Sequence, residues 1–175
     1  MKIYSILFIL SMIGSCATDK SIAENQSDSK YLDQLNGQWK ATSLFLSDAS
    51  TGVCHQEKTD RDITFEFNKE LLEDKLSYKF SGMAPVNSYF GTIQFISFDE
   101  TTNAVKIKTS TIGSTKMAGS PAMMECEQNF YTMLSESTGI QLFADEPNRM
   151  IIGKLRNADS HPRDGGTYFV FEKIK

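Results

Sequence analysis

The sequence predicts an α+β domain: a curled antiparallel β-sheet of about eight strands packed around one main α-helix. Short runs of alternating apolar and polar residues recur between turn residues, as is typical of half-buried antiparallel strands. A segment after Ser120 instead places apolar side chains at helical spacing. Because a helix with one apolar stripe must bury that stripe, the concave face of a bent sheet is its expected partner.

The predicted strands are separated by polar connections that contain Gly, Pro, Asn or Thr. These residues favour turns, so each apolar run between them has the length of a strand. The runs lie at about 37–46, 63–67, 76–80, 88–99, 105–108, 140–144, 150–155 and 168–174.

The run at 88–99 changes its pattern midway. Ile93 and Phe95 fall on one face of the predicted strand, whereas Ile96 and Phe98 fall on the other. Because side chains alternate along a strand, a slip of one residue predicts a β-bulge or a passage from one sheet layer to another.

The main helix is predicted to begin after Ser120, a residue suited to the N-cap, with Pro121 at the first helical position. Gly139 is placed to end it. One face of this helix carries a stripe of four residues: Met123, Glu127, Phe130 and Leu134.

The N-terminal segment has the features of an export signal. Lys2 precedes a short apolar run at 6–13, which is too short to span a bilayer. The residues Ile13-Gly14-Ser15-Cys16 resemble the lipobox of bacterial lipoproteins, in which the cysteine becomes lipidated. We therefore expect a signal peptide at 1–15 and lipidation at Cys16. An ordinary cleaved signal and a retained membrane anchor are the alternatives.

The next segment, residues 16–33, is polar and is expected to be a flexible tether, followed by the folded domain at 34–175. The expected location is the bacterial cell envelope, attached by lipid, with the outer membrane as the favoured membrane. The sequence leaves open which face of that membrane the domain occupies. The attachment would come from acyl chains, since no basic patch is present.

The charge of the chain argues against nucleic acid as a partner. The formal net charge is −4, and the 18 basic residues form no cluster. Proteins that bind nucleic acid present clustered Lys and Arg. The expected partners are the membrane and an unidentified envelope protein or small ligand.

Two cysteines remain after Cys16. In an exported protein, an even pair such as Cys54 and Cys126 is typical of a disulfide. Closing a loop of this length would add about 4 kcal/mol to the free energy of unfolding on the chain-entropy model. The alternative is that both are independent apolar fillers.

Several short motifs resemble the META domain family, also called HslJ-like. The segment 35–39, Leu-Asn-Gly-Gln-Trp, resembles the opening Leu-x-Gly-x-Trp of that family. Its first central signature, Cys-Asn-x-Tyr-x-Gly, is matched by residues 86–91, and its Thr-x-Met-Ala-Cys signature by residues 115–119. A Glu-x-x-Phe helix follows at 127–130, with Leu134 at its end.

The resemblance has two departures, since the family cysteines are Val86 and Gly119 here. Any role that depends on those cysteines is not carried over to this chain. The resemblance implies a compact β-rich fold around a helix, an envelope location, and a link to stress tolerance or envelope integrity. It implies no catalytic activity.

The signature residues are the candidate functional surface: Asn87, Tyr89 and Gly91 on the first signature, with Thr115, Lys116 and Met117 on the second. The first three alternate along a turn and strand and could line a polar pocket. The alternative is structural: Asn bonds its own backbone in turns, Tyr packs with its hydroxyl satisfied, and Gly permits a bend.

Glu127 is unusual because it lies within the apolar stripe of the helix. A carboxylate facing a core must be paired, hydrogen-bonded or protonated. The candidate partners are Asn87, Thr115, Lys116 and nearby backbone amides. We expect a structural pin, with a ligand contact as the alternative.

No motif for catalysis, a cofactor or a metal is present in the sequence. His55 and His161 are isolated, no Cys/His spacing matches zinc, and no nucleophile elbow or phosphate-binding glycine loop occurs. We therefore expect neither an enzyme nor a bound cofactor.

The sequence supports two functional hypotheses. The first is a non-enzymatic envelope lipoprotein whose META-like domain binds or stabilises another component. The second is a lipocalin-like carrier of a small apolar ligand, since Gly37-Gln38-Trp39 also resembles the Gly-x-Trp of that fold. A carrier would have a hollow closed barrel with its helix outside, and the Met and Phe residues would line the cavity. The first hypothesis places the helical stripe in a filled core.

Overall fold

The computed structural model describes residues 26–54, 61–74, 76–156, 161 and 164–174. The predicted signal peptide, the lipidation site Cys16 and His55 lie outside the described residues.

The described chain is mostly β-structure with two α-helices. The helices are α1 (Gln26–Leu35) and α2 (Pro121–Ser135). The strands are β1 (Gly37–Leu46), β2 (Ala49–Thr51), β3 (Thr64–Leu71), β4 (Ser77–Met83), β5 (Ser88–Asp99), β6 (Ala104–Thr109), β7 (Gly113–Ser114), β8 (Gly139–Leu142), β9 (Arg149–Lys154) and β10 (Thr167–Lys173).

The strands form a closed antiparallel barrel. The order β1-β3-β4-β5-β6-β8-β9-β10 is completed by pairing of β10 with β1, from Trp39 opposite Lys173 to Leu46 opposite Thr167. The prediction of an antiparallel sheet is confirmed, but the expectation of a simple curled sheet around one main helix is wrong, because the sheet closes and two helices pack on it. Alternating patterns specify individual strands, whereas closure depends on pairing between the first strand and the last, which no local pattern shows.

The slip predicted in the longest strand is a β-bulge. The register between β5 and β6 shifts between Phe95 and Ser97, so Ile96 is the extra residue. Ile93, before the bulge, is buried, whereas Ile96 is exposed. The extra residue shifts the alternation by one, so that Phe98, like Phe95, packs against the core, where its ring contacts that of Tyr31.

The helix α1 corrects the predicted tether. Residues 26–33 were expected to be flexible, but they form most of α1, and Tyr31 and Leu35 are buried in the core. The Tyr31 hydroxyl donates to the carbonyl of Ile140 at 3.0 Å. Tyr31 and Leu35 are four residues apart, so a short apolar stripe crosses the predicted boundary between the tether and the domain.

The barrel also satisfies the last carbonyls of α1, which have no partner within the helix. The indole Nε1 of Trp39 donates to the carbonyl of Leu35 at 2.8 Å. The ammonium of Lys173 donates to the carbonyl of Gln34 at 2.6 Å and lies over the Trp39 ring. The opening Leu-x-Gly-x-Trp motif is therefore the junction between α1 and the first strand.

The start of α2 is confirmed. Ser120 has extended backbone angles and its side chain accepts from the amide of Met123, with Pro121 as the first helical residue. The helix ends at Ser135, four residues before Gly139, which begins β8 instead. The hydroxyl of Ser137 donates to the carbonyl of Met133 at 3.0 Å. A serine side chain, rather than a glycine, therefore satisfies a carbonyl at the C-terminal end of α2.

The two helices lie at opposite ends of the barrel. Tyr89, near the start of β5, contacts Phe130 of α2, with ring centres 5.4 Å apart. Phe98, near the end of β5, contacts Tyr31 of α1 at 5.1 Å. Between them the interior is filled by large buried side chains: Trp39, Phe65, Phe67, Phe80, Ile93, Phe169 and Phe171.

Candidate functional site

The two signature segments meet α2 at one end of the barrel. The turn between β4 and β5 carries Asn87, and the loop between β7 and α2 carries residues 115–119. Asn87 and Glu127 are 3% and 4% exposed, so the centre of this site is an interior one.

Glu127 is held by three hydrogen bonds from the β4–β5 turn. Its Oε2 accepts from the backbone amides of Val86 at 2.9 Å and Asn87 at 2.7 Å. Its Oε1 accepts from the Asn87 side-chain amide at 2.7 Å. Hydrogen bonds to a carboxylate are stronger than neutral ones, which is how a buried acid is tolerated here.

Asn87 joins that turn to the loop before α2. Its Oδ1 accepts from the Thr115 hydroxyl at 2.9 Å and from the Met117 amide at 2.6 Å. Its Nδ2 also donates to the Met117 carbonyl at 3.4 Å. The amide therefore uses both its donor and its acceptor sides, and it connects the turn, the loop and α2.

Tyr89 and Gly91 lie inside the barrel rather than on a surface. The Tyr89 hydroxyl donates to the carbonyl of Thr64 at 2.7 Å, and burial raises the pKa of Tyr89 well above its usual value. A Cβ at Gly91 would lie 2.4 Å from the Phe80 ring, so this position needs glycine for close packing. Asn87, Tyr89 and Gly91 thus have structural partners, and the exposed part of the candidate surface is residues 115–117.

The exposed part is a loop that the buried network holds in place. Met117 is 50% exposed, although its backbone is bonded on both sides by Asn87. Met124, on the first turns of α2, is also exposed. We call Lys116, Met117 and Met124 the methionine surface.

The two departures from the family motifs face each other. A Cβ placed on Gly119 would lie 2.6 Å from a methyl group of Val86. The valine fills the space that a side chain at residue 119 would need. The joint replacement of the two family cysteines therefore has a local packing reason that sequence reasoning did not find.

This contact gives a prediction. The double variant Val86→Cys/Gly119→Cys should form a second disulfide, because the two side chains would lie within bonding reach. Intact mass and thiol titration of the denatured, non-reduced protein would measure it. The single variant Gly119→Ala, which adds a Cβ against Val86, should instead lower stability by about 1–3 kcal/mol. Two extra free thiols in the double variant would contradict the prediction.

A disulfide attaches α2 on another side. Cys54 and Cys126 are bonded, with Cα atoms 5.3 Å apart, and this links the segment after β2 to the middle of α2. Cys126 and Glu127 are consecutive, so α2 is held at successive residues by a covalent bond and by a hydrogen-bonded carboxylate.

Tyr131 lies one helical turn beyond Glu127. The pKa of Tyr131 is raised to about 12, mainly by burial and in addition by the negative charge of Glu127. The Tyr131 ring also contacts that of Tyr89, with centres 5.8 Å apart.

We therefore expect Glu127→Gln to lower the pKa of Tyr131, because the change removes the negative charge. The pKa should stay above the usual 10.0, since burial, the larger cause, is retained. Titration of ¹³C-labelled tyrosine by NMR would measure this. Glu125→Gln is the control and should leave the Tyr131 pKa unchanged. An unchanged value in Glu127→Gln would contradict the assignment.

No metal site is found within the described parts of the chain: they contain no group of three His, Cys, Asp or Glu side chains placed to hold an ion. His161 is exposed in the connection between β9 and β10, and its carbonyl accepts from the Asp164 amide at 2.8 Å. None of the described helices is long and apolar enough to cross a bilayer.

The fold and the site define a class: a filled antiparallel barrel with a helix at each end, one of them held by a buried Asn–Glu pair. The model of the META domain family matches residues 32–161, and the chain belongs to that family. A solved structure, the "NMR structure of the protein from Burkholderia xenovorans", is similar at 17% identity with a TM-score of 0.47. The match covers 91% of this chain and 97% of that one. Comparison with curated proteins finds no match.

Proposed function

We propose that this protein is a non-enzymatic lipoprotein of the bacterial envelope whose META domain is a binding or stabilising module. The observation that best supports this proposal is that the polar side chains of the signature residues form hydrogen bonds inside the protein. The side-chain amide of Asn87 donates to Glu127 and also accepts from a backbone amide, and the Tyr89 hydroxyl donates to a backbone carbonyl. These side chains shape the barrel end and hold the loop that presents the methionine surface.

The methionine surface is the proposed contact with another envelope component. Methionine side chains are flexible and polarisable, so they adapt to the surface of a partner. The fixed backbone of Met117 reduces the entropy lost when a partner binds. Binding through this surface would serve envelope integrity or stress tolerance.

A carrier with a ligand inside the barrel is less well supported. The barrel is closed, as the carrier hypothesis expected, but its described interior is occupied by aromatic rings. Phe130 and Leu134 of α2 are part of the same core. A ligand inside would have to replace these packed side chains.

Lipid attachment at Cys16 is part of the proposal and rests on the lipobox-like sequence. Cys16→Ser should move the protein from the membrane fraction to the soluble fraction. A membrane-impermeant label applied to intact cells would then show which face the domain occupies. If the Cys16→Ser protein stays with the membrane, the lipid anchor is wrong.

The surface itself can be tested by photo-crosslinking in cells. A photoreactive residue at Met117 should give a crosslinked product, whereas one at Leu76 should not. Leu76 is an exposed apolar control that directly precedes β4, at the other end of that strand from the Asn87 turn. Products at neither position, or equal products at both, would refute the methionine surface as the contact.

A further inference from the structure

A concave surface lies beside α2, and its lining residues do not include those of the methionine surface. It is a cleft of about 450 Å³ between α2 and the C-terminal end of β1. Its apolar floor includes Leu44, Phe130 and Phe169, and the Cys54–Cys126 disulfide forms part of its wall. The volume is in the range of small-molecule sites, which are concave and mostly apolar with a few polar groups.

The polar groups of the cleft are placed on one helix. Glu125 and Asn129 are four residues apart on α2, so they lie next to each other along the same side. Both are exposed, whereas the apolar floor beneath them is buried. A ligand would therefore meet an apolar base and a polar rim.

The charge on the described part of the rim is negative. Glu125 is the single charged side chain among the described residues that line the cleft. The ion pairs formed by described residues do not include Glu125. Among the described lining residues, Glu125 has no basic neighbour, and such a negative group at the mouth of an apolar cleft attracts a positive group and repels a negative one.

We propose that this cleft binds a small amphiphilic cation, with its hydrocarbon part on the apolar floor and its ammonium group at Glu125. Burial of hydrocarbon supplies most of the affinity, since apolar area leaves water. Asn129 accepts a hydrogen bond from the ammonium through its side-chain oxygen, and Glu125 selects the sign of the charge. This site is separate from the methionine surface, and the proposal does not depend on it.

The test uses the purified full chain labelled with ¹³C in the methionine methyl groups. Octylammonium and octanoate are the probes, since they share one hydrocarbon chain and differ in the sign of charge. Met133 lines the cleft and Met117 does not, so the two methyl signals separate cleft binding from other binding. Octylammonium should shift the Met133 signal and leave the Met117 signal in place.

The affinity for octylammonium should exceed that for octanoate by about fivefold, the size expected for a partly exposed charge pair. Glu125→Gln should remove this preference, whereas Glu100→Gln, at an exposed acid outside the cleft, should keep it. Asn129→Trp should fill the cleft and weaken binding by at least about tenfold. Gln128→Trp adds the same ring to the neighbouring helical position outside the cleft and should leave the affinity unchanged.

Equal affinity for the two probes, a Met133 signal that does not move, or unchanged binding in Asn129→Trp would each overturn the proposal. Glu125 is exposed, so the Glu125→Gln comparison remains decisive even if the tryptophan variant unfolds. Loss of crosslinking at Met117 with normal octylammonium binding would refute the proposed function alone, which keeps the two tests distinguishable.

Discussion

Replacing Glu127 with alanine should lower the free energy of unfolding by about 3–5 kcal/mol, because buried donors then lose their acceptor. The donors are the Val86 amide, the Asn87 amide and the Asn87 side chain. The loss should be visible as a lower urea midpoint with an unchanged denaturant slope. The protein should still fold, since the aromatic core is untouched.

Glu127→Gln removes the negative charge of residue 127 while keeping the size and shape of its side chain. Its amide oxygen can accept from the two backbone amides, but its NH₂ group would face the Asn87 NH₂ group. We expect an intermediate loss of about 1–3 kcal/mol. Gln128→Ala, an exposed change on the same helix, is the matched control and should stay within about 0.5 kcal/mol of the unmodified protein. A melting temperature for Glu127→Gln equal to that of the unmodified protein would contradict the role of Glu127 as a structural pin.

Loss of the disulfide should lower the free energy of unfolding by about as much as Glu127→Ala. The double variant Cys54→Ala/Cys126→Ala should lower the free energy of unfolding by about 4 kcal/mol on the chain-entropy model. The reason is the long loop that the bond closes, since the two cysteines are 72 residues apart. Urea denaturation of the variant and of the unmodified protein would measure the difference.

The control for this prediction is reductant. It should lower the urea midpoint of the unmodified protein and leave that of the double variant unchanged. Two free thiols in the denatured, non-reduced protein would show that no disulfide forms and would end the prediction. The same midpoint with and without reductant would show that the bond adds nothing to stability.

The features that could be predicted depend on patterns among residues that are close together in the sequence. The N-cap at Ser120 and the bulge at Ile96 are local patterns, and both are found in the structure. The oddity of Glu127 was also local, because a helical period of 3.6 residues places it beside Phe130 on the buried face. Asn87 was among its candidate partners, whereas Lys116, another candidate, is exposed and has no bond to it among the described contacts.

The features that could not be predicted join distant residues. The contact of Val86 with Gly119 and the bond from Tyr31 to Ile140 each link segments that no local pattern connects. The helix α1 was missed because only Tyr31, Leu32 and Leu35 break the polarity of its sequence. Its stability comes from docking on the barrel, since a helix of 10 residues is marginal by itself.

The sequence alone determined that the strands alternate between apolar and polar residues, and that an acid lies on the buried face of α2. Those properties follow from composition and from the periods of strand and helix, which are local. The tertiary structure decided that β10 pairs with β1 to close the barrel, and that the turn amides and Asn87 surround the acid. Strand pairing and side-chain burial depend on contacts between segments that are distant in sequence. The free energy of folding of the whole domain determines which of these contacts form.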